Sequence, residues 1–176
     1  MGVPGIRIGF KILKYYSMIS TKELIAYFHL VTTFILGTYF FWGNIKFDRF
    51  YILIFMAINI SWVVLSNECI ISYFYKKIHD SNYEIGTSID LDDFSLLVGE
   101  QKAKYFLWFL RASYALSLLV VLYRSKFNNT INIALLAAFI SYIFYIASAI
   151  NDVHVSLTRT IHGLICSFLF YNVYIS

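Results

Sequence analysis

The chain alternates long apolar runs with short polar turns. Five runs of aliphatic and aromatic residues are long enough to cross a bilayer, and they cover about 24–43, 50–75, 105–123, 131–150 and 156–175. We predict an all-α fold: a polytopic transmembrane helical bundle with five spans, the second being one continuous helix. The alternative is four spans plus a re-entrant or interfacial helix. The last run is long enough to span if its helix begins near Val155, and marginal if it begins at Ile161.

Composition places the chain in a membrane. Hydrophobic residues make up 60% of the sequence and charged residues only 14%, whereas soluble domains carry about 25% charged residues. The net charge of +4 is small and spread out, so we predict no nucleic-acid partner. Two cysteines exclude a disulfide framework, and no Cys/His spacing is typical of zinc. We therefore expect a multi-pass integral membrane protein whose main partner is the lipid bilayer.

Two segments flank this pattern. Residues 1–20 are predicted to form an amphipathic interfacial segment, because Arg7, Lys11 and Lys14 share one helical face. The alternative is an ordinary basic flank of the first span. Residues 21–176 are predicted to form the transmembrane domain. The inner loop 76–104 mixes both charge signs and ends in a predicted amphipathic helix leading into the third span. Both segments are predicted to contact other protein subunits; a solvated connector is the alternative for the loop.

The distribution of Lys and Arg predicts the orientation. The first side would hold Arg7, Lys11, Lys14, Lys22, Lys76, Lys77, Lys102, Lys104 and Arg159, and the other side Lys46, Arg49, Arg124 and Lys126. Because basic residues concentrate on the inner side, we predict that the N-terminus is inside. The sequon beginning at Asn128 would then lie outside, where it could be glycosylated.

Ionisable residues inside the spans gather in the inner half. The predicted cluster consists of His29, Asn67, Glu68, Arg111, Asp152, His154, Arg159 and His162. Such groups are costly in lipid and each needs a partner. One interpretation is structural, with Glu68 and Arg111 neutralising each other between helices. The other is an inward-facing polar cavity for a proton, an ion or a lipid head group.

The sequence gives only weak evidence for a catalytic or cofactor-binding site. No spacing links Ser, Cys and His as a nucleophilic triad requires, and no metal-binding motif occurs. His29 and His162 lie at similar depth on different helices, so haem b is a speculative cofactor; no other cofactor is expected. We therefore predict a non-enzymatic protein.

The run NECIISYFYKKIHDSNYEIG, residues 67–86, resembles small polytopic membrane proteins of large eukaryotic DNA viruses. Those proteins carry similar motifs in the same order after a membrane span. The order is Asn-Glu-Cys, then Ser or Thr, then Lys-Lys, then Asn-Tyr-x-x-Gly. The resemblance covers only this stretch and implies a component of a virion inner membrane or capsid.

The leading functional prediction is a structural or anchoring component of a larger membrane assembly, in a virion membrane or host endomembrane. The alternatives are transport of a proton, ion or small solute through the inner-half cavity, and a haem-binding or accessory subunit of a respiratory complex in the mitochondrial inner membrane.

Overall fold

A computed structural model describes residues 20–66, 68–86, 92–124, 126–151 and 154–176, and the regular structure in these ranges is helical. The eight α-helices are α1 (Thr21–Gly37), α2 (Tyr39–Trp42), α3 (Asp48–Val64), α4 (Ile70–His79), α5 (Asp92–Val98), α6 (Glu100–Arg124), α7 (Asn129–Asn151) and α8 (Val155–Ile175). The predicted all-α fold is confirmed. The predicted interfacial helix in 1–20 lies outside the described residues, apart from Ser20, which caps α1 by accepting a hydrogen bond from the Glu23 amide.

Among the described residues, three segments are long and apolar enough to cross a membrane: Ile45–Val64, Glu100–Arg124 and Asn129–Ser148. The surface of the bundle is also apolar. On α7, Ile133, Ile140 and Phe144 are exposed at helical spacing, while the opposite face of the same helix is buried. An apolar face of this size is unfavourable in water and suits contact with lipid chains.

The predicted second span, 50–75, is not one helix. Helix α3 ends at Val64, and α4 begins at Ile70. Ser66 adopts a left-handed conformation with φ of 53°, which ends α3 as a glycine would at a helix C-terminus. The apolar residues on both sides of the turn hid this break, because hydropathy does not register a change of chain direction.

The predicted amphipathic helix before the third span is likewise divided. Gly99 adopts φ of +84°, which glycine reaches without strain, and it separates α5 from α6. Helix α5 packs against both α1 and α6. Residues Asp93 and Phe94 on α5 are buried, so this part of the loop belongs to the bundle and is not a solvated connector.

Aromatic side chains fill the centre of the bundle. The rings of Tyr39 and Tyr51 are stacked with centroids 4.0 Å apart. Phe55 continues this column and contacts Tyr114 and Tyr142, at 5.5 and 5.7 Å. Since these residues come from α2, α3, α6 and α7, the column joins four helices, and α8 closes the bundle by packing against α3 and α7.

A buried ion pair closes one end of the bundle, which we call the Asp48 end. Arg124, the last residue of α6, donates to both carboxylate oxygens of Asp48 at 2.5–3.2 Å. The Tyr39 hydroxyl donates to the same carboxylate at 2.9 Å, and Arg124 also reaches the Gly43 carbonyl. The opposite end, which carries α4 and α5, is called the loop end.

We predict that Asp48→Asn lowers the free energy of unfolding by about 3 kcal/mol. Removing one member of a buried pair leaves the other without compensation, and the partial exposure of Arg124 places the effect at the low end of the usual range. Unfolding in detergent micelles by SDS measures the change. The matched control is Glu100→Gln, which breaks the exposed Glu100–Lys104 pair and should leave the midpoint unchanged. Equal midpoints for both variants would contradict the prediction.

Candidate functional site

A cavity of about 160 Å³ lies towards the loop end, where α1, α3, α4, α6 and α7 face one another. Its surface is mainly apolar, although polar side chains also contribute to the wall. The polar and ionisable residues in the wall are His29, Thr32, Thr33, Glu68, Cys69, Ser72, Lys76, Arg111, Tyr114 and Tyr145. Three residues of the predicted cluster, His29, Glu68 and Arg111, therefore line one cavity.

Glu68 is held at the edge of the cavity by the loop that follows α4. Its Oε1 atom accepts hydrogen bonds from Lys76 Nζ at 3.3 Å and from the Tyr83 hydroxyl. Gly86 then brings the loop back against Ser66, where an added Cβ atom would lie 3.1 Å from the Ser66 Cβ atom. The second oxygen, Oε2, is buried and has no hydrogen-bond partner in the described part of the chain.

His29 is fixed by residues from two other helices. Its Nδ1 atom contacts Asp93 Oδ2 on α5, and the same oxygen accepts a hydrogen bond from the Ser72 hydroxyl at 3.2 Å. The Phe94 ring stacks on the imidazole with centroids 4.6 Å apart. Burial disfavours the Asp93 carboxylate, but the contacts with His29 outweigh this effect, and the pKa of Asp93 lies below its ordinary value.

Cys69 stands where α4 begins, beside His29. It is the N-cap residue of this ten-residue helix, whose first turn has no side-chain cap. Burial opposes ionisation of the thiol, but the His29 ring and the backbone N–H groups of Ile71 and Ser72 favour the thiolate, so the pKa of Cys69 lies below its ordinary value. In the described ranges, no three His, Cys, Asp or Glu side chains are placed to share a metal ion.

The predicted Glu68–Arg111 ion pair is wrong, because Glu68 pairs with Lys76 instead. The reason is the turn at Ser66, which starts a new helix and places Lys76 against Glu68. Arg111 lies over the Trp108 ring, with its Cζ atom 5.0 Å from the centroid. It makes no hydrogen bond or ion pair with a described residue, although it lines the same cavity as Glu68.

His162 belongs to a separate polar cluster between α3, α7 and α8. Its Nε2 atom contacts Asn59 Oδ1 at 3.1 Å, and its Nδ1 atom contacts the Ser141 hydroxyl at 2.7 Å. Cys166 packs beside the ring, with its sulfur 3.4 Å from Nε2. Both ring nitrogens have side-chain partners, so His162 is not arranged to bind haem iron together with His29.

The other described residues among those predicted are not part of the cavity wall. The buried Arg159 Nε atom has no hydrogen-bond partner among the described residues. His154 is exposed and caps the start of α8, with φ of 54°. Asn128 accepts a hydrogen bond from the Ile131 amide at the start of α7, and its glycosylation stays a prediction. Asn67 and Asp152 lie outside the described residues.

Sequence reasoning missed Cys69, Ser72, Lys76, Tyr83 and Asp93 as members of this site. Asp93 stands in the acidic run DLDDF, where nothing in the local pattern distinguishes a buried carboxylate from exposed ones. Ser72, Lys76 and Tyr83 all lie in the stretch quoted above for its resemblance. Their contribution depends on α4 turning back towards α1, and the residues that signal this turn are Ser66 and Gly86.

Comparison with protein-family models, with curated proteins and with solved structures gave no match. The class of this protein therefore rests on its fold and its site. In the part of the chain that the structure describes, it is an all-α protein with three helices that could span a membrane and a largely apolar cavity, lined in part by polar residues, near one end of the bundle.

Proposed function

We propose that the chain crosses the membrane five times, with α1–α2, α3, α6, α7 and α8 as spans and the loop end inside. The segment Thr21–Trp42 would cover about 33 Å and the 21-residue α8 about 31 Å at helical rise, both enough for a bilayer core. Arg49 donates to the Tyr174 carbonyl, which supports a position for the end of α8 at the Asp48 end, opposite the start of α1. A chain that crosses the membrane an odd number of times must have the start of its first span and the end of its last span on opposite sides.

Thiol labelling tests the orientation. In a Cys69→Ala, Cys166→Ala background, Lys126→Cys should react with a membrane-impermeant maleimide on intact cells, because this exposed residue follows α6 at the outer side. Lys77→Cys, exposed at the loop end, should react only after permeabilisation. Labelling of both positions from the same side would contradict five spans with this orientation.

The function that the geometry supports best is the binding of a small oxyanion, a phosphate or carboxylate group on an aliphatic body, in the loop-end cavity. Arg111 carries the proposal. Its guanidinium lines the cavity without an ion-pair partner among the described residues, and a half-buried cation of this kind is stabilised by an anionic ligand. The unpaired Glu68 Oε2 would accept a hydrogen bond from a hydroxyl or ammonium group of the same ligand.

The rest of the cavity wall suits an aliphatic body. Ile58, Ile70, Leu107 and Leu110 contribute apolar surface beside Arg111. A pathway through the membrane has less support, because the aromatic column around Phe55 fills the bundle above the cavity and the Asp48–Arg124 pair lies at the far end. The geometry thus favours binding over passage. The anchoring role, the virion membrane and the absence of enzymatic activity stay predictions from sequence.

We predict that butyl phosphate, whose short chain suits a cavity of about 160 Å³, raises the melting temperature of the purified protein in a neutral detergent, and that Arg111→Gln weakens this binding roughly 10- to 100-fold. Hydrogen bonds to charged groups contribute about 1.5–3 kcal/mol each, and a ligand that binds only the folded state stabilises it. The melting temperature is measured by tryptophan fluorescence at increasing concentrations of butyl phosphate.

Two further arms define this experiment. Arg49→Gln, which changes an exposed arginine at the Asp48 end, is the matched control and should bind butyl phosphate as the wild type does. Inorganic phosphate alone tests whether the ligand is a free anion or a lipid-like head group. Unchanged affinity in Arg111→Gln would refute the proposal.

A further inference from the structure

Cys69, His29 and Asp93 come from three separate parts of the chain and meet beside the cavity. His29 lies in the middle of α1, Asp93 at the start of α5, and Cys69 at the first turn of α4. The Nδ1 atom of the imidazole contacts Asp93 Oδ2 and the hydroxyl of Ser72. Nε2 is therefore the ring nitrogen left for proton exchange with a thiol, as in nucleophilic sites where a carboxylate orients the base.

The thiol has the environment of a reactive cysteine. Backbone N–H groups at the start of a helix stabilise negative charge, and Cys69 is the N-cap residue of α4. Because α4 has no side-chain cap, the same first turn could also stabilise an oxyanion formed next to the sulfur. Cys69 is only half-buried and lines the cavity, so a substrate can reach it.

The second cysteine provides an internal comparison. Cys166 is fully buried and also lies beside a histidine, His162. That ring is held by Ser141 and Asn59 through both nitrogens, and no carboxylate of a described residue contacts it. The same pair of residue types is thus packed as part of the core at one position and open to a cavity at the other.

We propose that Cys69 is a nucleophile that accepts an acyl group from a lipid-soluble thioester, with His29 as its base and Asp93 as the group that orients His29. The surroundings select this chemistry, because the apolar cavity wall suits an acyl chain and a thioester exchanges its acyl group with a thiol without an oxidant or metal. The proposal does not use Arg111 and goes beyond the binding function above.

The exchange balances in atoms and charge. His29 Nε2 takes the Cys69 proton, and the sulfur attacks the carbonyl carbon of the donor. The new bond joins Cys69 Sγ to the acyl carbon, and the bond that breaks joins this carbon to the sulfur of the donor. His29 returns the proton to the leaving thiolate. The products are S-acylated Cys69 and a free donor thiol.

The test uses the full chain in neutral detergent and the 5-hexynoyl thioester of N-acetylcysteamine as the donor, whose short acyl chain suits a cavity of about 160 Å³ and carries the alkyne tag. We expect label that hydroxylamine removes in the wild type and in Cys166→Ala, and its loss in Cys69→Ala. His29→Gln should slow labelling at least tenfold, since general bases commonly contribute about 10²-fold or more. Label of equal rate in Cys69→Ala, or in a folded His29→Gln, would overturn the proposal.

A measurement on the unmodified chain keeps the test independent of variant folding. Alkylation by iodoacetamide, followed by mass spectrometry, gives the rate at each cysteine as a function of pH. The Cys69 rate should reach half its maximum below the ordinary thiol pKa of about 8.5, whereas a positioned but unactivated thiol would follow the ordinary value. Failure of Cys69 to react faster than Cys166 at neutral pH would also overturn the proposal.

Discussion

The contact between His29 and Asp93 is the interaction on which the loop end depends. It joins the middle of a long apolar helix to a short helix that follows an acidic loop. A carboxylate at this depth is unfavourable unless its charge is compensated, and His29 and Ser72 compensate it. With α5 fixed in this way, Phe94 covers the imidazole and α4 is confined between α5 and α1.

Polar groups are hydrogen-bonded to different extents at three levels of the bundle. At the Asp48 end, Asp48, Arg124 and Tyr39 satisfy one another in a dense network. In the centre, His162 has partners on both sides of its ring. At the loop end, Arg111 and Glu68 Oε2 face a cavity without a partner among the described residues, whereas the unpaired hydroxyls of Tyr51 and Tyr142 lie in the packed core. Access to a cavity, together with the missing partner, is the reason that the proposed function is assigned to the loop end.

Hydrophobic pattern predicted much of the fold and less of the site. The helices α6, α7 and α8 begin and end within a few residues of the predicted third, fourth and fifth spans, because each is a single apolar run between polar turns. The division of 50–75 was missed, since Ser66 in a left-handed turn has no hydropathy signal. That one turn decided the partner of Glu68, and with it whether Arg111 was neutralised.

The site residues show the same limit. His29, Glu68 and Arg111 could be found as ionisable residues in apolar runs, where each is conspicuous. Asp93 and Lys76 could not, because they lie among other charged residues and are buried only through the return of α4 and α5 to the bundle. Cys69 was visible as a residue, but its proximity to His29 is a tertiary fact that no spacing in the sequence encodes.

Thiol crosslinking in native membranes tests the central contact most directly. In a Cys69→Ala, Cys166→Ala background, the pair Leu30→Cys on α1 and Val98→Cys on α5 should be joined by a short bifunctional thiol reagent, because both residues line one apolar groove. The same pair should crosslink much less when Asp93→Asn is added, because the contact that fixes α5 is then lost. Crosslinking that falls with Asp93→Asn is the result that the account predicts. Equal yields with and without Asp93→Asn, or no crosslink in either, would contradict it.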